Sequence, residues 1–215
     1  MIELLLERSA LPKGSSVLDA GCGIGGTTRH LAKDHGCKVT GVTISGRQVE
    51  IARKLTVETS GAQQDGTVDT FKLGDGSVRF IELDAEKMGD FFNTEPNVAK
   101  FDCVWISEAM SHLPNKQLFF QNAAKLLNPG GKLVVADWFK SENLTEEQFK
   151  ADISPIEGLN KAHNPWRMCK LTARTDGMLL PPLCSQADYV RLAQEAGLNI
   201  LAEPFDISKK VSKTW

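Results

Sequence analysis

One carboxylate and four glycines stand together near the start of the chain, in Val17-Leu18-Asp19-Ala20-Gly21-Cys22-Gly23-Ile24-Gly25-Gly26. An apolar run that ends in an acid and then in glycines reads as a strand entering a tight turn. Glycines there let the backbone turn sharply and approach a ligand with no Cβ in the way. A helix starting near Thr27 aims its positive end into that turn. This is a cradle for a nucleotide-type ligand. A phosphate-binding loop would place Lys and then Ser or Thr after the glycines, where Thr27-Thr28-Arg29 stands, so that reading is dropped. Gly21, Gly23 and Gly26 satisfy the G-x-G-x-x-G spacing of a dinucleotide site. That site also wants an acid about 20 residues on, and the corresponding strand end, Val39 to Thr43, has none. Asp19, two residues before the first glycine, suits a cofactor with no pyrophosphate and a charged amino-acid end. A tight turn that binds nothing is the alternative.

The elements that must position these groups alternate. Met1 to Ser9 reads as a short amphipathic helix, Ser16 to Asp19 as a first strand, Thr27 to Lys33 as a helix and Cys37 to Thr43 as a second strand. Arg47 to Thr59 is helical by its apolar spacing, Gly61 to Gly76 a polar, glycine-rich loop, and Val78 to Leu83 a third strand. Gly89 to Lys100 reads as a loop or short helix, Asp102 to Ser107 as a fourth strand, Lys116 to Leu127 as a helix, and the apolar Lys132 to Asp137 as a fifth strand buried on both sides. Such alternation predicts an α/β fold, a doubly wound and mostly parallel sheet with helices on both faces. Ligands in these sheets sit at the carboxyl ends of the strands, where Asp19, Thr43, Asp84, Ser107 and Asp137 all fall. After the fifth strand the rhythm breaks. Residues 140–184 read as a helical lid inserted ahead of a last helix, Gln186 to Gly197, with a sixth strand over Asn199 to Ile207.

The glycine block resembles motif I of the class I S-adenosylmethionine-dependent methyltransferases. The likeness continues in Val39 to Ser45, similar to the second motif of the tocopherol, sterol and cyclopropane-fatty-acid branch, where Thr replaces the usual acid. Trp105-Ile106-Ser107-Glu108-Ala109-Met110-Ser111-His112-Leu113-Pro114-Asn115-Lys116 is similar to the fourth motif of γ-tocopherol methyltransferases and sugar O-methyltransferases, and Asn128-Pro129-Gly130-Gly131-Lys132 to the turn before the fifth strand. Leu183-Cys184-Ser185 with Asp188-Tyr189-Val190 also resembles the tocopherol branch. The resemblance spans roughly residues 2–210 and implies a Rossmann-like fold, S-adenosylmethionine as methyl donor and S-adenosylhomocysteine as product.

The resemblance implies a role for each of these residues. Gly21, Gly23 and Gly25 wrap the aminocarboxypropyl part of the donor, and Asp19 holds the loop or the ammonium. Thr43, Ile44 and Gln48 surround the ribose, with a plain surface-helix role for Gln48 as the alternative. Asp84 accepts from the adenine amino group beside the backbone N–H of Ala85, or it is a helix N-cap, which Asp favours. Ser107, Glu108 and His112 lie beside the transferred methyl group. A methyl acceptor needs alignment and, for a hydroxyl or acidic C–H, proton removal, which suits His112 as general base. Asp137 orients it or binds the acceptor. Related sugar methyltransferases carry a second histidine where Ser111 stands. Glu108 reads equally as a structural carboxylate. His163, Trp166, Met168 and Met178 read as lid packing or as an apolar acceptor pocket.

Bulk properties bound the rest. A chain of 215 residues, 41% hydrophobic and 24% charged, suits one globular domain, residues 1–215. A net charge of −2 makes no case for nucleic acid, and a nucleic-acid methyltransferase would want Asn/Asp-Pro-Pro-aromatic where Ser107-Glu108-Ala109-Met110 stands. No apolar run approaches membrane-spanning length. Five unpatterned cysteines fit free thiols in a reducing compartment, read as the cytoplasm. No cysteine–histidine spacing marks a metal site, and His30 and His35 read as surface helix positions. Lys209, Lys210 and Lys213 read as a solvated tail. The short cap ahead of the first strand and the absence of a seventh strand read as a domain excised from a larger enzyme. The expected partner is a small, largely apolar natural-product-type acceptor, methylated on carbon or oxygen. N-methylation, a dinucleotide-dependent oxidoreductase and a non-catalytic methyltransferase-like module are the alternatives.

Overall fold

The computed structural model describes residues 1–60, 63–64, 69–94, 100–154, 156–157 and 180–208. Among these residues its centre is one sheet of seven strands: β1 (Ser16–Ala20), β2 (Lys38–Thr43), β3 (Gln63–Gln64), β4 (Thr70–Leu73), β5 (Gly76–Glu82), β6 (Phe101–Ser107) and β7 (Leu127–Ala136), in the order β3-β4-β5-β2-β1-β6-β7. The five strands from β5 to β7 run parallel, with Asp19 of β1 opposite Gly41 of β2 and Trp105 of β6. The order reverses between β1 and β6, so the crevice of such a sheet opens above their carboxyl ends.

Helices cover both faces. The chain supplies α1 (Ile2–Ser9), α2 (Gly26–His35), α3 (Gly46–Ser60), α4 (Met88–Thr94), α5 (Lys116–Leu126), a short α6 (Glu146–Gln148) and α7 (Gln186–Glu195). Strand alternation splits the core in two. Val17, Cys103 and Trp105 pack with Leu31 of α2 and Val49 and Ala52 of α3, while Leu18, Val104 and Ile106 pack with Met88, Phe119, Phe120 and Tyr189 under α4, α5 and α7. Strands apolar on both sides therefore match the doubly wound reading.

Three local expectations change. Residues 61–76 are not loop throughout. Phe71 and Leu73 bury one side of a four-residue segment, which pairs antiparallel with β5 as β4 and widens the sheet. The last expected strand, Asn199 to Ile207, has no strand pairing. Pro204 there has no N–H for a ladder, and Leu201 and Pro204 lie exposed. Asn128 to Gly131 is not a turn ahead of β7 but an irregularity within it: the register steps from Phe101↔Leu127 to Cys103↔Lys132. The displaced Asn128 donates its side-chain amide to Asp102 Oδ1 at 2.8 Å. Of the lid expected over 140–184, the described part holds a capping box, Thr145 with Gln148, and one π-type turn, Phe149–Ile153. Its centre, with His163, Trp166, Met168 and Met178, lies outside the described residues, as do Lys209, Lys210 and Lys213.

Candidate active site

The glycine turn is built by backbone bonds that fold it back onto β2. The N–H groups of Gly21 and Cys22 both donate to Val42 O at 2.9 Å, and the Gly25 N–H donates to Cys22 O at 2.9 Å. Gly21, Gly23 and Gly25 adopt φ values of 75°, 54° and 79°. A Cβ on Gly21 would lie 2.4 Å from Ala109 Cβ, and one on Gly25 would lie 2.5 Å from the Phe80 ring. Those two glycines are demanded by packing. Gly23 has nothing within 4 Å of its missing Cβ; it faces open space. Arg29 braces the turn by donating from Nη1 to Ile24 O at 2.7 Å.

That space is a cavity of about 550 Å³, lined by Asp19, Gly21, Cys22, Gly23, Ser107 and Glu108 and closed on one side by Met1, Ile2 and Glu3 of the α1 end. Asp19 forms its floor. It is 2% exposed, and Oδ2 accepts the Thr28 hydroxyl at 2.6 Å. Burial pushes its carboxyl up to about 6, with the Thr28 bond pulling the other way. Burial and the charge of Asp19 also push the Cys22 thiol up, so it stays protonated. Among the described residues no cationic side chain bonds Asp19; a buried carboxylate on a cavity floor is arranged for a cationic group brought by a ligand.

A second cavity, about 750 Å³, adjoins the first and shares Met1 and Glu108 with it. It is lined by Asp137 and Trp138 to Asn143 after β7, by Gln186, and by Phe205 to Ser208. Glu108 therefore sits at the seam. Its φ is 54°, a left-handed backbone that residues with a Cβ rarely adopt, held by its N–H bonding Ala136 O at 2.7 Å. Strain of this kind persists where surrounding structure imposes it, and it gathers at functional sites. Asp137 uses both oxygens on backbone: Oδ2 accepts the Ser111 N–H at 2.8 Å and Oδ1 the Trp138 N–H at 2.7 Å. It thereby ties the turn carrying His112 to the end of β7. His112 itself is exposed, on a single 3-10 turn, Met110–His112. The turn's far end is anchored by Lys116, 6% exposed, whose Nζ donates to Leu113 O at 3.0 Å and Pro182 O at 3.4 Å; burial lowers its pKa.

The remaining expected residues lie along the neighbouring strand ends. The Thr43 hydroxyl donates to Gln48 Oε1 at 2.6 Å, joining two of the three residues expected at the ribose, while Ile44 is 73% exposed. Asp84 caps the 3-10 turn that begins at Ala85, its Oδ1 accepting the Glu86 N–H at 3.0 Å. Sequence reasoning missed the α1 end, Thr28, His30 and the 205–208 segment. Only Thr28 carried a signal, a hydroxyl one turn into the helix that the glycine loop launches. The others reach the cavities through tertiary packing, such as the Arg8 guanidinium stacked 3.8 Å over Phe205.

Residues 1–203 match the family model described as a methyltransferase domain. Over 128 residues, 60% of this chain and 33% of the other, the chain is 42% identical to the 2-methyl-6-phytyl-1,4-hydroquinone methyltransferase of Synechocystis sp.. Over 203 residues, 94% of this chain and 49% of the other, it is 29% identical to the chloroplastic tocopherol O-methyltransferase of Arabidopsis thaliana. The chain thus spans between about a third and a half of these relatives' length. In fold it is similar to a Haemonchus contortus phosphoethanolamine N-methyltransferase 2 solved with phosphomonomethylethanolamine and S-adenosylhomocysteine, with a TM-score of 0.67 at 19% identity over 99% of this chain and 40% of that one.

Proposed function

Since the chain belongs to the methyltransferase domain family, we propose that it transfers the methyl group of S-adenosylmethionine to carbon or oxygen of a small, largely apolar acceptor. The observation that carries this reading is the pair of adjoining cavities with Glu108 between them. One is glycine-lined with a buried carboxylate floor; the other lies beyond the strand end. Donor and acceptor must meet at such a seam.

The residues present fit the donor. A cavity of about 550 Å³ is in the range that encloses a cofactor of this size, and Asp19 offers a buried anion for the ammonium of its methionine part. When bound, S-adenosylmethionine supplies a methyl group on a positively charged sulfur, which a nucleophile displaces in line. Gly23, open on the cavity side, lets backbone approach that ligand closely. The Thr43–Gln48 pair and the Ile44 backbone receive the ribose, and Asp84 with the Ala85 N–H receives the adenine. Ser107 faces the donor in the glycine-lined cavity, and Glu108 positions the acceptor at the seam. His112 takes its proton, and Asp137 acts through the backbone of the turn it holds. Alignment is the main contribution, because the electrophile is already activated.

The names of the relatives support a prenylated hydroquinone as first acceptor to try. Among the described residues no helix is long and apolar enough to cross a membrane. The buried free thiols Cys22, Cys37 and Cys103 support a reducing compartment, such as the cytoplasm. Titration calorimetry with S-adenosylhomocysteine and with a nicotinamide dinucleotide separates methyltransferase from oxidoreductase. Mass spectrometry on prenylated hydroquinones and sterols should then show a single methyl increment. Binding of the dinucleotide alone would overturn the proposal.

A further inference from the structure

We propose that Glu3, His30 and His35 form a binding site for one divalent transition-metal ion, with Zn²⁺ as the natural candidate, on the outer wall of the glycine-lined cavity. Two helices build it. Glu3 lies in the first turn of α1. His30 lies midway along α2 and His35 is its last residue, before Gly36 closes the helix in the left-handed conformation. No motif announces the site, because the carboxylate comes from 27 residues before the first histidine.

Three donor atoms converge on one point. Glu3 Oε1 lies 2.5 Å from His30 Nε2 and 3.2 Å from His35 Nε2. The donor atoms of all three residues lie within 4.8 Å of one another, and this is the one such cluster among the described residues. The imidazole rings are 5.5 Å apart and inclined at 59°, so they meet the oxygen from different directions rather than stacking. A tetrahedral ion with bonds of about 2.1 Å holds its ligand atoms roughly 3.4 Å apart, a separation these side chains reach by small rotations. The outer shell is also present. Asp34 Oδ2 lies 2.9 Å from His30 Nδ1, the carboxylate–histidine pairing that fixes which nitrogen faces a metal. Two imidazoles, one carboxylate and an open side toward solvent make a three-ligand zinc set with a fourth place for water. The histidine side chains are about one-third and one-quarter exposed, so an ion can enter.

The position gives the ion a consequence. Glu3 and His30 both line the 550 Å³ cavity. An ion joining them locks the start of α1 against α2, closing that wall of the cavity with a coordinate bond in place of two exposed hydrogen bonds.

The test uses the whole chain without methyl donor, so its outcome is independent of the proposed methyl transfer. Calorimetric titration with Zn²⁺ should show one ion per chain. Glu3→Gln and His35→Gln, both at the surface, should each weaken it at least about 100-fold, and Asp34→Asn about 10-fold or more, in the range of outer-shell partners. Co²⁺ on the unaltered chain should give the visible absorption of a tetrahedral nitrogen–oxygen site. No stoichiometric binding would overturn the proposal. So would binding that persists in the Glu3→Gln, His35→Gln double variant, or a Co²⁺ spectrum with thiolate charge-transfer bands, which would place the ion on a cysteine.

Discussion

Replacing Asp19 by Asn should make the free protein more stable and the donor bind less well. The carboxylate is buried on the cavity floor with its pKa raised from 3.8 to about 6. A carboxyl whose native pKa lies above its unfolded value holds its proton better when folded. Its contribution is therefore neutral below about pH 4, turns unfavourable as pH rises from about 4 to 6, and stays fully unfavourable above that. A rise from 3.8 to about 6 corresponds to about 3 kcal/mol at pH 7. Asn keeps an oxygen for the Thr28 hydroxyl, now at 2.6 Å from Oδ2, and removes the charge. Urea unfolding at pH 7.5 should show Asp19→Asn stabilised by about 1–3 kcal/mol, and the gain should vanish near pH 4. Calorimetry should show the opposite for S-adenosylhomocysteine. Removing one side of a buried charge pair costs at least about 2 kcal/mol, or roughly 30-fold in affinity. At pH 6 the unaltered chain should also release protons on binding, seen as a dependence of heat on the buffer's ionisation enthalpy. An Asn variant that is less stable at pH 7.5, or that binds equally well, would refute the claim that this carboxylate is kept unpaired for a ligand.

The other expectations concern single positions. Gly25→Ala meets the Phe80 ring and a φ of 79° and should lose about 2–4 kcal/mol of stability, measured by denaturant unfolding. Gly23→Ala meets only the backbone cost, about 1 kcal/mol, and should instead weaken S-adenosylhomocysteine in titration. His112→Ala, at an exposed position, should leave melting temperature and donor affinity unchanged while turnover falls about 100-fold or more. Glu108→Gly should raise the melting temperature, by relief of up to about 1 kcal/mol of left-handed strain, and lower kcat.

Sequence alone revealed the parallel sheet well, because two-sided burial writes itself as unbroken apolar runs such as Leu133-Val134-Val135-Ala136. It also revealed which residues reach the strand ends, since Asp19, Ser107 and Asp137 each follow such a run. What it hid were pairings whose partners are distant. Phe71 and Leu73 look like scattered apolar residues in a polar stretch until β5 lies beside them. Asp137 reads in the sequence as a side chain that orients His112 or binds the acceptor, yet its two oxygens are engaged by backbone N–H groups at Ser111 and Trp138, 26 residues away and next door. His30 and Glu3 look like ordinary surface residues until two helices bring them together.

The alternation of Val17 and Leu18 between opposite cores has a consequence for how such a chain can change length. Strand β1 behaves like text in a fixed reading frame: deleting one residue ahead of Asp19 would send Val17 into the packing meant for Leu18 and turn the acid away from its hollow. Gains and losses of single residues should be tolerated at an irregularity such as Asn128 to Gly131 near the start of β7, where the ladder already skips a step. Within the central strands, viable changes are confined to swaps of side chain at constant count.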